Sequence, residues 1–576
     1  MKLRYPALAQ SFADSAKRPA IIDIALFAAF AACAYGFAEL AHYWWGTAVP
    51  AATISRSSRD LPVYTLYSLA RMFTAYLLSL VFAVGYGYLA ARQPRIEPVL
   101  IAILDILQSI PVLSFLPGVM LAMISLFPSR QLGIELGSIV LIFTGQVWNM
   151  AFSFYSSLKS IPRELREVTQ VYGYSSWQRF FQLELPYGAI GLLWNSMVSV
   201  AGGWFFLMAC EMFVLGERDF RLPGLGSYLQ TAASAGDMGA IGWGLGTMIA
   251  VIILIDQFVW RPLIAWSDKF KFEQVETMGH GSNAVLKAFR RSRLASIPGA
   301  LFNSLSLRIE ARIARKPKTV PRPGSSGRSV AVLYILAAPA AALTVFAIVQ
   351  AIRLLGGVSA EEWRTTLRDA GLTFLRVNAA LLIAALWTIP AGVAIGFNQK
   401  LSRIAQPMAQ IAASVPATAL FPVLLLGLIQ LGGGIGIASI LLMLLGTQWY
   451  ILFNVIAGAL AIPSELKEVG QVFGFRLVQR WRTIILPGIF PYLVTGLITA
   501  SGGAWNASIV AEYFRLKGQL FTTSGLGARI SSATDAGRFD LLLLSTVVMA
   551  AIVVCINRLV WRRLYRVAES RYRLEG

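Results

Sequence analysis

Two pairs of glutamates, placed alike in the two halves of the chain, have the spacing that is most suggestive of function. Glu164 and Glu167 lie about one helical turn apart, as do Glu465 and Glu468, and hydrophobic residues follow each pair. The pattern predicts a short amphipathic helix that ends in a turn. An apolar stripe beside charged side chains can dock another protein, and a helix that only caps a bundle is the alternative.

The glutamate segments belong to a longer internal repeat. Matching residues are separated by a constant 301 positions from Gly145 and Gly446 to Trp260 and Trp561. Two copies at equivalent positions favour two equivalent docking sites for a partner. The other matched pairs include Trp148/Trp449, Pro162/Pro463, Gln178/Gln479, Trp204/Trp505, Glu211/Glu512 and Gly224-Leu-Gly226/Gly525-Leu-Gly527.

The composition indicates a membrane protein rather than a water-soluble one. Of the 576 residues 56% are hydrophobic and 14% are charged, and the mean hydropathy is +0.63. Several apolar runs exceed the roughly 20 residues that cross a bilayer. The net charge of +21 could attract nucleic acid, but the basic residues gather between apolar runs and at the two ends. That distribution favours anionic membrane lipids as the partner.

Apolar runs predict an all-α polytopic membrane protein with about twelve transmembrane helices in two six-helix repeats. Lys and Arg place the two termini and both glutamate segments on one side, the cytoplasm. Six spans return each half to its starting side, so the repeats are parallel. The spans are expected near 21–45, 63–91, 97–126, 133–159, 187–214 and 239–266, then 330–355, 371–398, 404–431, 434–460, 488–513 and 539–562.

A basic segment divides the chain into three parts. Residues 268–329 are rich in Lys and Arg and end in a Pro- and Gly-containing stretch. They predict a cytoplasmic linker between a first repeat at 1–267 and a second repeat at 330–576. Residues 301–315 have apolar positions at helical spacing, so part of the linker either lies on the inner membrane surface or is a solvated tether.

Each glutamate segment extends into a recognisable motif. Glu167, Gly173 and Leu183-Glu-Leu-Pro186 have the spacing of the EAA loop of ABC-importer permeases, and Glu468, Gly474 and Ile484-Ile-Leu-Pro487 repeat it. Both copies lack the two alanines of that motif. The chain nevertheless resembles this family over nearly its whole length outside the linker and the first span of each half.

The resemblance is greatest to the nitrate, sulfonate, taurine and bicarbonate branch, and particularly to its duplicated anion permeases. It is carried by Ser109-Ile-Pro111 and Ser414-Val-Pro416 and by the tryptophans Trp204 and Trp505. It implies a type I importer permease fold, in the inner membrane, that moves a small anion by alternating access. It also implies two ABC ATPase subunits and an extracytoplasmic substrate-binding protein as partners.

No cofactor is expected on this chain. A Gly-x-x-x-x-Gly-Lys-Ser/Thr phosphate loop is missing from the sequence, so ATP would be used by partner subunits. Only His42 and His280 are available as histidines, which argues against a metal or a His-based catalytic site. A twelve-span secondary transporter would also have two parallel halves, but it would be expected to carry coupling acids deep in its spans. A membrane enzyme is the third class.

Polar groups inside spans are costly and mark candidate pathway residues. Gln146 and Gln448 lie beside the tryptophans of the span that precedes each glutamate segment, where amides could meet an anion or join helices. Arg71 and Arg376 could draw an anion inward or reach the lipid headgroups. Trp204 and Trp505 complete the candidate pathway set. Glu211 and Glu512 are expected to pair with basic residues or to touch a binding protein.

Overall fold

The computed structural model describes residues 53–128, 131–215, 218–267, 345–430, 434–463, 472–516 and 519–571, with residues 44, 46, 342, 465, 466 and 468. Nearly all of the predicted first span at 21–45, most of the span predicted at 330–355 and the whole linker at 268–329 lie outside the described residues. The predicted domain boundaries at 267 and 329 therefore stay predictions.

Helices dominate both repeats. The first repeat contains α1 Leu61–Arg92, α2 Glu97–Ser109, α3 Leu116–Leu126, α4 Leu132–Lys159, α5 Arg163–Val171, α6 Ser176–Arg179, α7 Leu185–Glu211, β1 Val214–Leu215, β2 Arg218–Asp219, α8 Leu225–Ala235, α9 Met238–Ile255 and α10 Arg261–Ser267. Two short 3-10 turns, Ser58–Asp60 and Val112–Phe115, precede α1 and α3.

The second repeat follows the same order. It contains α11 Val345–Gly356, α12 Ala360–Phe397, α13 Gln399–Ser414, α14 Ala417–Gln430, α15 Ile435–Ala461, α16 Leu477–Arg480, α17 Leu486–Ala511, β3 Tyr513–Leu516, β4 Gln519–Thr522, α18 Leu526–Asp535, α19 Phe539–Ile556 and α20 Arg562–Arg571. The described part of the chain has four π-helical turns, in two pairs separated by 301 residues: Phe180–Glu184 with Trp481–Ile485, and Asp256–Trp260 with Asn557–Trp561.

The predicted all-α polytopic architecture is confirmed. Within the described residues, eight helices are long and apolar enough to cross a membrane, and ten spans result if each of two bent helix pairs counts as one. The two remaining predicted spans are those that lie wholly or largely outside the described residues.

The spans predicted at 97–126 and 404–431 are not continuous helices. Each is broken, and the axes of the two pieces differ by 83° in the first repeat and 78° in the second. The break falls where Pro111 and Pro416 stand, because a proline disfavours the helical conformation of the residue before it. Ile110 has φ −80° and ψ 125°, and Val415 has φ −76° and ψ 118°, so both are extended.

A small hairpin follows each fifth span, and the sequence analysis did not predict it. The spans predicted at 187–214 and 488–513 end at Glu211 and Ala511. Antiparallel strands then pair Val214 with Asp219 in the first repeat and Tyr513 with Thr522 in the second. Each hairpin leads into a short helix, α8 or α18, that begins beside the end of the span.

The described residues form two compact units. One contains Ser153–Asn195 and the described part of Leu254–Arg353, and the other contains Trp44–Phe152, Ser196–Ile253 and Leu354–Gly576. In the larger unit, α12 and α15 pack closely because Gly392 and Gly396 present no side chain to the facing helix. Ile395, Leu452 and Ile456 form a buried cluster at this contact.

Candidate functional site

The first glutamate segment forms the short helix that the sequence predicts. Pro162 is the N-cap of α5, and Arg166 anchors the helix by donating from Nη2 to the Leu158 carbonyl at 2.8 Å. Thr169 faces inward and is buried, whereas Glu164 and Glu167 are exposed. The segment therefore presents its carboxylates outward while one side rests on the preceding span.

A left-handed glycine ends this helix. Gly173 has φ +64°, and the amides of Gly173 and Tyr174 donate to the carbonyls of Gln170 and Thr169, both at 2.9 Å. This arrangement closes the last helical turn, and glycine adopts such a φ without strain. Gly474 has φ +63° in the second repeat. The predicted turn is confirmed at both positions.

Both segments expose equivalent large apolar side chains. Val171 and Tyr172 are 84% and 75% exposed, and their counterparts Val472 and Phe473 are 83% and 71% exposed. Glu465 and Glu468 are helical and exposed like the glutamates of the first repeat. We call residues 163–174 and 465–475 the two coupling segments. Each combines exposed apolar side chains with exposed carboxylates, which is the composition of a docking surface.

The residues after each coupling segment explain the rest of the repeated motif. The Gln178 side chain accepts from the Ser175 amide at 2.9 Å, and Gln479 accepts from the Arg476 amide at 3.0 Å, so each glutamine caps a short helix. A π-helical turn then precedes Pro186 or Pro487. A proline ring clashes with the carbonyl four residues earlier in an α-helix, and the wider turn accommodates it.

A buried charge cluster lies at the far end of the fifth span in the first repeat. Arg71 binds Glu135 through two hydrogen bonds of 2.6 and 2.7 Å, and its Nη1 donates to Glu211 Oε1 at 2.8 Å. Ser68 Oγ donates to the same Glu211 oxygen at 2.6 Å, and the Gly226 amide donates to Oε2 at 2.7 Å. The carboxylate of Glu211 therefore joins α1 and α7 to the first turn of α8.

The second repeat builds the same junction with fewer charges. Arg376 Nη1 donates to Glu512 Oε1 at 2.8 Å, Thr373 Oγ1 donates to that oxygen at 2.8 Å, and the Gly527 amide donates to Oε2 at 2.8 Å. The position of Glu135 is occupied by Gly436 here. Arg376 is accordingly 15% exposed, whereas Arg71 is completely buried.

The first of these clusters changes the interpretation of Arg71. Arg71 is completely buried and does not reach the lipid headgroups, and an anion drawn to it would have to displace Glu135 or Glu211. The geometry thus argues against Arg71 as a pathway residue. The expectation that Glu211 and Glu512 pair with basic residues is confirmed.

Sequence reasoning missed three members of the clusters: Ser68, Thr373 and Glu135. Ser68 and Thr373 are separated by 305 residues, the same offset as Arg71 and Arg376. The available signal was a serine or threonine that stands at the same place in both repeats, one helical turn before an arginine that also recurs. Glu135 has no counterpart, so the repeat could not reveal it.

The two candidate amides differ in their surroundings. Gln146 is completely buried, donates from Nε2 to Met72 Sδ at 3.1 Å, and has no partner for Oε1 among the described residues. It packs against Gly203, where an added Cβ would collide with the amide. Gln448 Oε1 instead accepts from Trp387 Nε1 at 3.2 Å. Gln448 is thus engaged as a contact between helices.

Trp204 and Trp505 are both buried within the fifth spans. Trp505 is among the largest completely enclosed side chains of the described residues. Packing accounts for both tryptophans in this conformation, and their place in a transport pathway stays a prediction. No group of three or more potential metal ligands occurs among the described residues.

Partial burial and a neighbouring arginine both shift the pKa of Asp219, a residue of the first hairpin. Burial raises the pKa of Asp219, but hydrogen bonds and the charge of Arg221 outweigh burial and leave that pKa below its ordinary value. Arg221 Nε donates to Asp219 Oδ1 at 2.9 Å. The pair fixes the segment that connects the hairpin to α8.

Comparison with known proteins gives two matches to one family. Residues 83–259 and 388–574 each match the family model described as binding-protein-dependent transport system inner membrane component. The matched segments contain both coupling segments and both fifth spans. Together they cover more than half of the chain.

Curated relatives resemble one repeat at a time. The taurine transport system permease protein TauC of Escherichia coli (strain K12) is 29% identical over 178 residues, which are 31% of this chain and 61% of TauC. The bicarbonate transport system permease protein CmpB of Synechococcus elongatus is 28% identical over 198 residues, covering 34% and 66%. The nitrate import permease protein NrtB of Leptolyngbya laminosa is 27% identical over 185 residues, covering 32% and 63%. The chain spans less than two thirds of each relative's length.

Proposed function

Because the chain belongs to the family of binding-protein-dependent transport system inner membrane components, we propose that it is the transmembrane subunit of an ABC importer with both permease halves fused. The transported substrate is a small anion of the nitrate, sulfonate, taurine or bicarbonate class, as the names of the relatives suggest. Transport proceeds by alternating access.

The pair of coupling segments carries this proposal. Exposed side chains of equivalent type at Val171 and Val472, and at Tyr172 and Phe473, leave a large apolar area uncovered on each segment. Such an area is unfavourable in water and becomes favourable when a partner buries it. One ATPase subunit on each segment would do so, and ATP would be used by those subunits while this chain binds no cofactor.

The remaining partners follow from the same assignment. In the second repeat, the hairpin lies at the other end of α17 from the coupling segment, so it faces outside if the coupling segment is cytoplasmic. An extracytoplasmic substrate-binding protein would deliver the anion there. Both termini are cytoplasmic, and residues 268–329 form a cytoplasmic linker in the inner membrane protein.

Copurification tests the docking role. We expect the wild-type chain to retain ATPase subunits in detergent and the double variant Val171→Asp/Val472→Asp to lose them, because a charge replaces the apolar contact. Leu520→Asp is the matched control, since Leu520 is exposed on a hairpin instead. If the double variant and wild type retained equal ATPase, docking would lie elsewhere. If wild type retained none, a secondary transporter would be the better assignment.

Cysteine labelling tests the proposed topology. In a cysteine-free background, Ser282→Cys and Ser325→Cys should react with an impermeant maleimide only after the cytoplasmic face is opened. A cysteine at Leu520 should react from the outside and serves as the opposite control. Reaction of the linker positions in intact cells would overturn the orientation.

A further inference from the structure

The two broken spans differ at their breaks. In the first repeat the 3-10 turn Val112–Phe115 follows Pro111, and the Leu113 amide donates to Asn506 Oδ1 at 3.4 Å. Asn506 lies on α17 of the second repeat. The first break is therefore supplied with a hydrogen-bond acceptor by a side chain of the protein.

At the second break, the described residues provide no such acceptor. The residue at the position of Asn506 in the first repeat is Phe205, whose ring cannot accept from backbone amides in this way. α14 begins at Ala417, and the Ala419 amide bonds to the Pro416 carbonyl at 3.0 Å. Among the described residues, none accepts from the amides of Ala417 and Thr418. Helix N-termini leave such amides unsatisfied, and buried ones require a partner.

A hydroxyl at the same place also lacks a partner. Thr418, in the position of Leu113 of the first repeat, is 3% exposed. Its Oγ1 is buried without a hydrogen-bond partner among the described residues. Thr418 is the second residue of α14, so its hydroxyl belongs to the same first turn as these amides. Two amides and one hydroxyl thus form a buried group of unsatisfied donors.

The surroundings of this group favour an anion. The positive end of the α14 dipole is at Ala417, and aligned amides at a helix N-terminus attract negative charge. Gly446 of the neighbouring α15 has no side chain, and a Cβ added there would lie 3.7 Å from the Ala417 side chain. In the first repeat the Phe206 ring covers the equivalent Gly145, whereas the second repeat has the small Ala507 at that position.

We propose that the N-terminus of α14, with Thr418, binds an oxygen of the transported oxyanion, an inference that rests on the proposed function. The oxyanion supplies the acceptor that Asn506 supplies at the first break. Residues 416–419 are buried in this conformation, so the anion reaches them when the surrounding helices separate during alternating access. The site belongs to the second repeat alone, and the pathway is therefore asymmetric.

Transport kinetics test the site. The full chain with its ATPase subunits is placed in proteoliposomes together with the substrate-binding protein, and uptake of nitrate, bicarbonate and taurine is measured together with ATP hydrolysis. Thr418→Val removes the hydroxyl at nearly constant shape, and Thr418→Ser keeps it. Thr388→Val is the matched control, because the buried Thr388 hydroxyl already bonds to the Ala384 carbonyl of its own helix.

For the anion that wild type transports, we expect Thr418→Val to raise KM by about tenfold, the effect of one lost hydrogen bond to a charged group. Thr418→Ser and Thr388→Val should remain close to wild type. Equal KM values for Thr418→Val and Thr388→Val would overturn the site and leave the proposed function intact. Failure of wild type to associate with an ATPase would instead overturn the proposed function.

Two further results are decisive. If Thr418→Val does not fold, Thr418→Ala and Thr418→Ser are compared, and unchanged KM in Thr418→Ala would count against the site.

Thermal stabilisation of the purified chain provides a second measurement. Nitrate, bicarbonate or taurine should raise the melting temperature of wild type above that in chloride, and Thr418→Val should abolish the increase. An increase that persists in Thr418→Val would place the anion elsewhere.

Discussion

Arg71 and Glu211 form an ion pair of 2.8 Å between Nη1 and Oε1, and neither side chain is exposed to solvent. Glu135 holds the other edge of the guanidinium. A buried ion pair recovers its desolvation cost only when further hydrogen bonds satisfy both partners, and Ser68 and the Gly226 amide provide them here. The cluster thereby fixes where the fifth span stops and the short helix α8 begins.

Removal of the buried cation should be costly. Arg71→Met leaves Glu135 and Glu211 buried without a cation, and we expect a loss of about 3–5 kcal/mol of stability. Arg376→Met should cost less, because Arg376 is partly exposed and binds one carboxylate. Melting of the two purified variants in detergent compares them. A larger loss in Arg376→Met would contradict the difference in burial.

In each repeat, the glycine that packs against the buried glutamate should not tolerate a larger residue, because its Cα lies close to the carboxylate. At Gly525, φ is 171°, an extended conformation open to any residue, but a Cβ would overlap the Glu512 carboxylate. Gly525→Ala should therefore cost about 2–4 kcal/mol by displacing the carboxylate from its donors. Gly427→Ala in α14 is the control, since nothing lies within 4 Å of its Cβ. Equal melting temperatures for the two variants would refute the crowding.

Features of the fold that depend on local residue patterns, or that recur in both repeats, could be predicted from the sequence. The coupling segments, their glycine turns and most spans are recognisable because periodicity, proline and glycine act on neighbouring residues. The breaks at Pro111 and Pro416 were overlooked because their apolar flanks are long enough for a continuous span. A proline near the centre of such a run was the signal, since it constrains the preceding residue.

Contacts between distant segments could not be predicted in the same way. The pairing of Arg71 with Glu135 joins residues 64 positions apart, and the Leu113 contact with Asn506 crosses from one repeat to the other. Neither pair has a counterpart in the other repeat, so duplication gives no hint of it. Packing of helices, which the sequence pattern does not determine, brings these side chains together.

The glycine turns of the coupling segments should be sensitive to backbone conformation and insensitive to volume. Gly474 has no atom of another segment within 4 Å of the place that an added Cβ would take. Its φ of +63° is the obstacle. Gly474→Asn should be tolerated and Gly474→Val should uncouple ATP hydrolysis from uptake, since asparagine adopts this φ far more readily than a β-branched residue. Equal coupling in both variants would contradict this explanation.

Substitutions of the two candidate pathway glutamines, Gln146 and Gln448, should have different effects. Gln448→Leu removes the acceptor of Trp387 Nε1 and leaves a buried donor unsatisfied, so we expect a stability loss of about 1–3 kcal/mol. Gln146→Leu removes an amide whose Oε1 has no partner among the described residues, so its stability should change little. A drop in uptake by Gln146→Leu at unchanged melting temperature would then report a lost contact with the anion. Normal uptake would remove Gln146 from the pathway, and a large stability loss in Gln146→Leu would show that its amide is a structural contact instead.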